Sequence, residues 1–143
     1  MTREALEVVR ASWPPDEVDV VALLADDDAL SEAFGALATD VEVEFVANAP
    51  GVPDARYHGA RGLADGWRDW LQPYESYRLA AEEVIDAGED VLVLARVRAR
   101  THRDGVLIEH APAAVCTVRD GQIVKVRFYL DREQALEAVG LGA

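Results

Sequence analysis

Three histidines and one cysteine are the side chains of this sequence best suited to move a proton or attack a substrate near neutral pH. Histidine suits proton transfer because its unperturbed pKa is about 6.5. His110 lies within a predicted strand, whereas His58 lies in a loop before a helix and His102 precedes a turn, exposed to water. Cys116 also lies on a strand, where cysteine usually behaves as a small buried apolar residue. His110 is therefore the candidate for acid–base chemistry.

The sequence predicts no metal site and no cofactor. Its histidines do not have the spacing of a metal-binding motif. Asp26, Asp27 and Asp28 are adjacent, but they lack the spaced ligands and the glycine of a calcium loop. A carboxylate there can instead begin the helix that follows. Neither a glycine-rich phosphate loop nor a Gly-x-Ser-x-Gly motif is present.

The composition describes one acidic domain over residues 1–143. The net charge of −13 opposes binding to nucleic acid, because phosphate groups are held by basic patches. No apolar run approaches the ~20 residues that cross a membrane, and the charged N-terminus lacks the apolar core of a signal peptide. The single cysteine cannot form an internal disulfide. We therefore expect a cytoplasmic protein without nucleic-acid or membrane partners.

Four strands in series must position His110. They run over Tyr77–Asp86, Val91–Arg100, Val106–Val118 and Ile123–Leu130. Asp-Gly turns separate the last three strands, and glycine accepts the positive φ that a tight hairpin turn needs. The sequence therefore predicts an antiparallel meander.

Helices and connecting segments precede these strands. The first predicted helix covers Thr2–Trp13 and is ended by Pro14-Pro15. A second helix is capped by Asp16 and has Val18 and Val21 on one face, and a third has Leu30, Phe34 and Leu37 as its buried stripe. A strand over Val41–Val46, a loop over Asn48–Arg56 and a fourth helix with Leu63, Trp67, Trp70 and Leu71 follow. A short helix capped by Asp131 follows the last strand.

This order of elements predicts an α+β domain in which helices cover one face of the sheet. We expect a strongly curved antiparallel sheet wrapped around the N-terminal helices. Such a cone-shaped α+β barrel leaves an internal pocket, and small-molecule sites usually lie in cavities of that kind.

Several segments of the chain resemble the SnoaL-like branch of the nuclear-transport-factor-2-like superfamily, which has a cystatin-like cone fold. The resemblance lies in Tyr57-His-Gly59 with Gly62, Glu82-Glu-Val-Ile-Asp-Ala-Gly88, Arg119-Asp-Gly-Gln-Ile-Val124, and Tyr129 to Leu141. It implies a cone-shaped fold, frequent homodimers and an apolar pocket. Family members include polyketide cyclases, steroid isomerases, epoxide hydrolases, dehydratases and proteins without known catalysis, so the fold does not select a reaction.

Two catalytic sets of the family do not match this sequence. The steroid-isomerase set places its base at Phe45 and its protonated acid at Ala114, and neither side chain can move a proton. Its early tyrosine is also missing, because all four tyrosines lie at or after Tyr57. The limonene-epoxide-hydrolase set needs an Arg-x-Asp pair, but Phe128 follows Arg127 and no such pair occurs.

Cyclases of the SnoaL type use one acid–base residue. If Ala114 faces the pocket, strand alternation puts His110, Pro112 and Cys116 on the same face, with His110 the group that can titrate. Two alternatives remain open: His110 forms only a local hydrogen bond, or Pro112 introduces a bulge that reverses the alternation.

The resemblance implies an aromatic pocket that holds a flat or ring-shaped ligand, with His110 and Tyr57 as polar contacts. Trp67 and Trp70 lie three residues apart, so one helix can direct both toward the sheet. The expected lining residues are Trp13, Phe45, Tyr57, Trp67, Trp70, Pro112, Ala114, Cys116, Val126 and Phe128. The alternative is that these side chains form an ordinary packed core.

The opposite sheet face carries Arg96, Arg98 and Arg100 at every second position, together with Arg127 and Tyr129. Arginine and tyrosine are enriched at interfaces, so this face is a candidate homodimer surface. The alternative is solvated arginines paired with Glu82, Glu83 or Glu109.

Two functions remain open. One is a protein that binds a small apolar molecule, with polyketide-cyclase- or isomerase-type acid–base chemistry as its catalytic version. The other is a non-catalytic dimerisation or ligand-binding module that lacks the family's acid–base residues.

Overall fold

The computed structural model describes residues 2–13, 16–33, 35, 37–46, 55–88 and 90–141. The elements are α1 (Thr2–Ser12), β1 (Val18–Asp19), α2 (Val20–Leu24), α3 (Asp27–Ala33), β2 (Leu37–Val46), β3 (Ala55–His58), α4 (Gly59–Trp70), β4 (Tyr74–Ala87), β5 (Asp90–Thr101), β6 (Leu107–His110), β7 (Ala113–Arg119), β8 (Gln122–Tyr129) and α5 (Arg132–Ala138). None of the helices in these ranges is long and apolar enough to cross a membrane.

The strands form one open sheet in the order β1-β4-β5-β7-β8-β2-β3, with β6 also paired to β5. The α+β fold and the curved sheet are confirmed. The predicted meander is antiparallel throughout, from β4 through β5 and β7 to β8. One pairing departs from it, because β2 lies parallel to β8. The long connection through α4 and the meander allows this, since parallel neighbours require a crossover.

The meander turns have the backbone that their sequence requires. Asp120 and Gly121 both have positive φ, at 53° and 76°, as a two-residue hairpin turn of the primed type demands. Gly105 also has a positive φ, of 61°. These turns confirm the Asp-Gly prediction.

The strand predicted over 106–118 is divided at Ala111 and Pro112 into β6 and β7. Pro112 has no amide hydrogen to donate, but its carbonyl accepts a hydrogen bond from the Ala95 amide at 3.0 Å. The register against β5 continues across the break, with His110 opposite Val97 and Ala113 opposite Leu94. The proline therefore interrupts the strand without reversing its alternation.

Helices α1 and α3 begin where the sequence predicts, at Thr2 and at the run of aspartates, whereas α2 begins at another residue. α2 is capped by Asp19 instead of Asp16, because the Asp19 carboxylate accepts hydrogen bonds from the amides of Val21 and Tyr77, both at 3.1 Å. Val18 lies in β1, and Leu37 lies in β2 instead of the third helix. The predicted positions of Pro14-Pro15 and Phe34 lie outside the described residues.

The end of the segment predicted as a loop over 48–56 belongs to a strand. Its residues 48–54 lie outside the described ranges, whereas Ala55 and Arg56 belong to β3. β3 pairs antiparallel with β2 and places Tyr57 opposite Val43.

The sheet is covered on both faces. Its inner face packs against α1, α2 and α4 around buried residues such as Val9, Val41 and Val93. At one end of the outer face, Leu92, Val115 and their neighbours form a second cluster beneath Ala135 of α5. We expected helices on one side only, and α5 corrects that expectation. Its cap is as predicted: the Asp131 side chain accepts from the Glu133 amide at 2.9 Å.

Candidate ligand cavity

A cavity of about 380 Å³ lies between the helices and the inner face of the sheet. Helices α1 to α4 supply one wall, and β4 and β8 supply the other. Most lining side chains are apolar: Ala11, Ser12, Trp13, Val18, Val20, Leu23, Leu24, Ala29, Leu30, Glu32, Ala33, Leu37, Leu63, Trp67, Leu79, Ile123, Val126 and Phe128. A cavity of this size and lining is typical of small-molecule sites.

An aromatic cluster centred on Phe45 borders this cavity. Phe45 stacks on Phe128, its neighbour across the β2–β8 pair, with ring centroids 4.8 Å apart. It stacks on Trp70 at 5.9 Å and meets Trp67 edge to face at 5.7 Å. Offset and edge-to-face pairs of this kind are the favoured aromatic geometries. The cluster therefore forms a continuous aromatic wall.

Gly66 lets α4 approach this cluster closely. A Cβ atom at this position would lie 2.7 Å from Cε1 of Phe45 and 3.1 Å from the ring of Tyr57. No side chain fits there without displacing a ring. The glycine thus sets the distance between α4 and the sheet.

A second cavity of only about 30 Å³ lies on the other side of the aromatic wall. It has room for about one water molecule. Phe45, Trp70, Tyr77 and Pro112 are among its lining residues. Trp13, Trp67, Leu79 and Phe128 line both cavities, so these four side chains separate the two spaces.

His110 lies beside the small cavity through its contact with Tyr77. The Tyr77 hydroxyl and Nε2 of His110 are hydrogen-bonded at 3.3 Å. Burial raises the pKa of the Tyr77 hydroxyl, and burial lowers the pKa of His110 from its ordinary value of 6.5. Near neutral pH, the pair is therefore an uncharged phenol next to an uncharged imidazole. Such a pair can donate to, or accept a proton from, a polar group placed against it.

The structure distributes the predicted site residues over several environments. Trp13, Trp67 and Phe128 line both cavities, Phe45, Trp70 and Pro112 line the small one, and Val126 lines the large one. Ala114 and Cys116 face the inner side of the sheet but are buried at 1% and 0% exposure and line neither cavity. Whether any of these side chains contacts a ligand stays a prediction.

Tyr57 lies away from both cavities. Its ring meets Phe45 edge to face, and its hydroxyl donates to Asp69 at 3.2 Å. It also lines a separate polar groove of about 300 Å³ over β2 and β3, together with Arg56 and His58. Within the described residues, the structure does not bring Tyr57 and His110 to one cavity.

Cys116 is sealed inside the sheet layer. Burial raises the pKa of its thiol to about 12, and a hydrogen bond from Trp13 opposes that shift only in part. The thiolate is the reactive form of cysteine, so a thiol with this pKa is inert near neutral pH.

Several cavity residues were not predicted from sequence. Tyr77 was identified only as the start of a strand, although a buried tyrosine usually needs a hydrogen-bond partner, which here is His110. Leu24 lies on α2, a short helix whose starting residue the sequence placed differently. Among the described residues, no group of His, Cys, Asp and Glu is arranged to hold a metal ion.

The outer-face residues fall into two groups. Arg96 pairs with Glu82 at 2.7 Å and Arg98 pairs with Glu17 at 2.8 Å, and all four side chains are partly or largely exposed. Arg127 is more deeply placed, with its guanidinium 3.9 Å from Asp90. Tyr129 is buried in the cluster beneath α5. The exposed part of this face is therefore the Arg96 and Arg98 end.

Three solved structures resemble the chain at low sequence identity. TerC, co-crystallised with polyporic acid, is 20% identical with a TM-score of 0.67, and the match covers 95% of this chain and 98% of TerC. An NTF2-like protein of unknown function from Burkholderia pseudomallei is 20% identical with a TM-score of 0.66, covering 96% and 98% of the two chains. A candidate SnoaL-like polyketide cyclase from a Jannaschia species is 16% identical with a TM-score of 0.61, covering 87% and 90%.

At these identities, the likeness shows the fold alone. No curated protein sequence matches the chain. The SnoaL-like domain model, however, matches residues 18–126, which is most of the chain. The resemblance seen in the sequence is thereby confirmed, and the chain belongs to the SnoaL-like domain family.

Proposed function

We propose that this protein binds a small, apolar, ring-shaped molecule in the large cavity. The observation that carries the proposal is the cavity itself: about 380 Å³, lined almost wholly by apolar side chains. Trp13, Trp67 and Phe128 supply flat surfaces on which a ring can stack. The likeness in fold to TerC, which was co-crystallised with polyporic acid, supports a small organic ligand.

Ligand binding is tested by calorimetry and by tryptophan fluorescence with a panel of polycyclic aromatics and steroids. All three tryptophans are useful reporters, since Trp13 and Trp67 line the large cavity and Trp70 lines the small one. We expect saturable binding of at least one panel member. Ala33→Phe fills part of the cavity and should weaken that binding about tenfold, whereas Ala22→Phe, at an exposed position of α2, should not. Equal affinities for the two variants would contradict the proposed location.

A second candidate function is acid–base catalysis of the cyclase or isomerase type, with His110 as the proton-transferring group. The Tyr77–His110 hydrogen bond favours it, because the Tyr77 ring also lines the small cavity next to the aromatic wall. A ligand that displaced the wall would bring a polar group within reach of the pair. His110→Ala should then abolish turnover of a bound substrate while leaving its affinity nearly unchanged. Unchanged turnover would remove His110 from the mechanism and leave ligand binding alone.

The proposal extends to a homodimer formed through the exposed part of the outer sheet face. Arg96 and Arg98 alternate there with the glutamates that they contact, so the surface carries both charges. A surface of mixed charge can be self-complementary about a two-fold axis.

A further inference from the structure

The charge around the large cavity restricts which ligands it can hold. Among the described residues that line it, Glu32 is the one with a charged side chain. The Ser12 hydroxyl donates to the Val8 carbonyl at 2.9 Å, so its own hydrogen is already used. Glu32 is exposed to solvent and also lines the cavity, so this residue lies at the opening.

The segment where α2 passes into α3, which also covers the cavity, is acidic as well. Asp26, Asp27 and Asp28 lie exposed where α2 passes into α3. Asp26 accepts a hydrogen bond from the Ala29 amide at 3.2 Å, and Ala29 itself lines the cavity. A ligand that enters beside α3 therefore passes four carboxylates, in a chain whose net charge is −13. Fields of this kind repel anions and attract cations.

A cation of α4 contacts α2, but its charge is already engaged. Arg68 of α4 pairs with Asp65 at 3.4 Å and donates to the Leu24 carbonyl at 3.4 Å. Leu24 lines the cavity, whereas Arg68 does not. The described lining thus offers no positive group to a buried carboxylate or phosphate.

We propose, on the basis of the function proposed above, that the preferred ligand is an apolar ring compound bearing a protonated amine. The ring lies against Trp13, Trp67 and Phe128, and the ammonium group stays at the opening beside Glu32. An organic anion of the same size binds more weakly, because its charge lies either beside the Glu32 carboxylate or inside a lining that holds no positive group. An ammonium at the opening keeps part of its hydration and gains a carboxylate partner.

Three probes that share one ring system test this proposal on the intact protein by calorimetry. They are 1-naphthylmethylamine, 1-naphthalenemethanol and 1-naphthoate, which are cationic, neutral and anionic at pH 7. We expect the amine to bind most tightly and the carboxylate at least about tenfold more weakly. The advantage of the amine should shrink when the salt concentration is raised from about 0.02 M to about 0.5 M, because salt screens charges at the opening.

A matched pair of variants tests the role of Glu32. Glu32→Gln should weaken the amine about threefold and leave the alcohol unchanged, in keeping with the modest strength of an exposed ion pair. Glu137→Gln, on α5 and also exposed, removes the same charge away from the cavity and should change neither affinity. Equal effects of the two variants on the amine would overturn the assignment of Glu32.

The outcomes separate the two proposals. Binding in which the carboxylate equals or exceeds the amine overturns the charge preference but leaves the cavity as a ligand site. Failure of all three probes to bind, the neutral alcohol included, contradicts the proposed function itself and the charge preference with it.

Discussion

The Tyr77 hydroxyl lies 3.3 Å from Nε2 of His110, and this hydrogen bond joins β4 to β6 across the intervening strand β5. Tyr77 is almost completely buried, at 2% exposure, whereas His110 is half-buried. The same contact ties the candidate acid–base residue to the wall of the small cavity. It also makes the stability of the fold sensitive to the protonation of one imidazole.

The first prediction concerns pH. Burial lowers the pKa of His110 in the folded state, so the unfolded chain takes up a proton there at a higher pH than the folded chain does. The free energy of unfolding should therefore fall as the pH is lowered from 7.5 through the ordinary histidine pKa of about 6.5. Urea unfolding at several pH values between about 5.5 and 7.5 measures this, above the range in which carboxylates titrate.

The control for the pH prediction is His110→Gln, which keeps a polar side chain but cannot titrate. Its stability should depend less on pH over this interval than that of the unchanged protein. Identical slopes for the two proteins would contradict the prediction.

The second prediction concerns Gly66. Gly66→Ala gains helix propensity of about 1 kcal/mol, but its Cβ would lie 2.7 Å from the Phe45 ring. Overpacking of a tight core costs about 1–3 kcal/mol, so we expect a net loss of stability together with a changed near-UV circular dichroism spectrum. The double variant Gly66→Ala/Phe45→Leu removes the ring atom that the new methyl group meets. It should therefore lose less than the sum of the two single changes. Full additivity would show that the overlap does not occur.

The third prediction compares two helix caps. The partly buried Asp19 carboxylate accepts from two amides, those of Val21 in α2 and Tyr77 in β4. Asp26 is exposed and, within the described residues, accepts from one amide, that of Ala29. Asp19→Ala should lower the free energy of unfolding by about 2 kcal/mol, because it removes the helix cap and leaves the Tyr77 amide without an acceptor. Asp26→Ala should lower it by about 1 kcal/mol or less. Chemical denaturation gives both values, and an equal or reversed order would contradict the structural role of Asp19.

The fourth prediction concerns self-association. The double variant Arg96→Glu/Arg98→Glu places like charges on the exposed part of the outer face and should shift a dimer toward monomer in sedimentation velocity. Arg61→Glu, at an exposed position of α4 on the other side of the sheet, makes a similar change away from that face. A chain that is monomeric at every concentration tested, or a dimer that both variants weaken equally, would contradict the proposal.

The meander could be predicted from sequence because its information is local. Alternation and the Asp-Gly turns specify strands and hairpins within a few residues, and the register of His110 follows from that pattern even across Pro112. The parallel position of β2 beside β8 has no such local signal, since it depends on a connection that runs through most of the domain. Short helices are also hard to place: Asp16 and Asp19 are both suitable caps by residue type, and the contact of Asp19 with the distant Tyr77 amide has no local signal.

The candidate site was predictable in its aromatic wall but not in its extent. Trp67, Trp70 and Phe128 follow from helical and strand periodicity. The separation of the space into two cavities depends on ring orientations and on the close approach at Gly66, which no spacing encodes. Tyr57 was assigned as a polar contact of the ligand, yet its hydroxyl is engaged with Asp69 on the far side of Phe45.

The parallel pairing of β2 with β8 also has a kinetic consequence. Phe45 and Phe128 lie 83 residues apart in the sequence (128 − 45) and stack across the β8–β2 pair, toward one edge of the sheet. Loop closure over such a separation is slow, and chains dominated by distant pairings fold slowly. Until β8 has paired with β2, one edge of β2 has unpaired backbone groups, and the aromatic rings can contact other chains. We therefore expect this protein to be most prone to aggregation while it is being synthesised, and to benefit from chaperones at that stage.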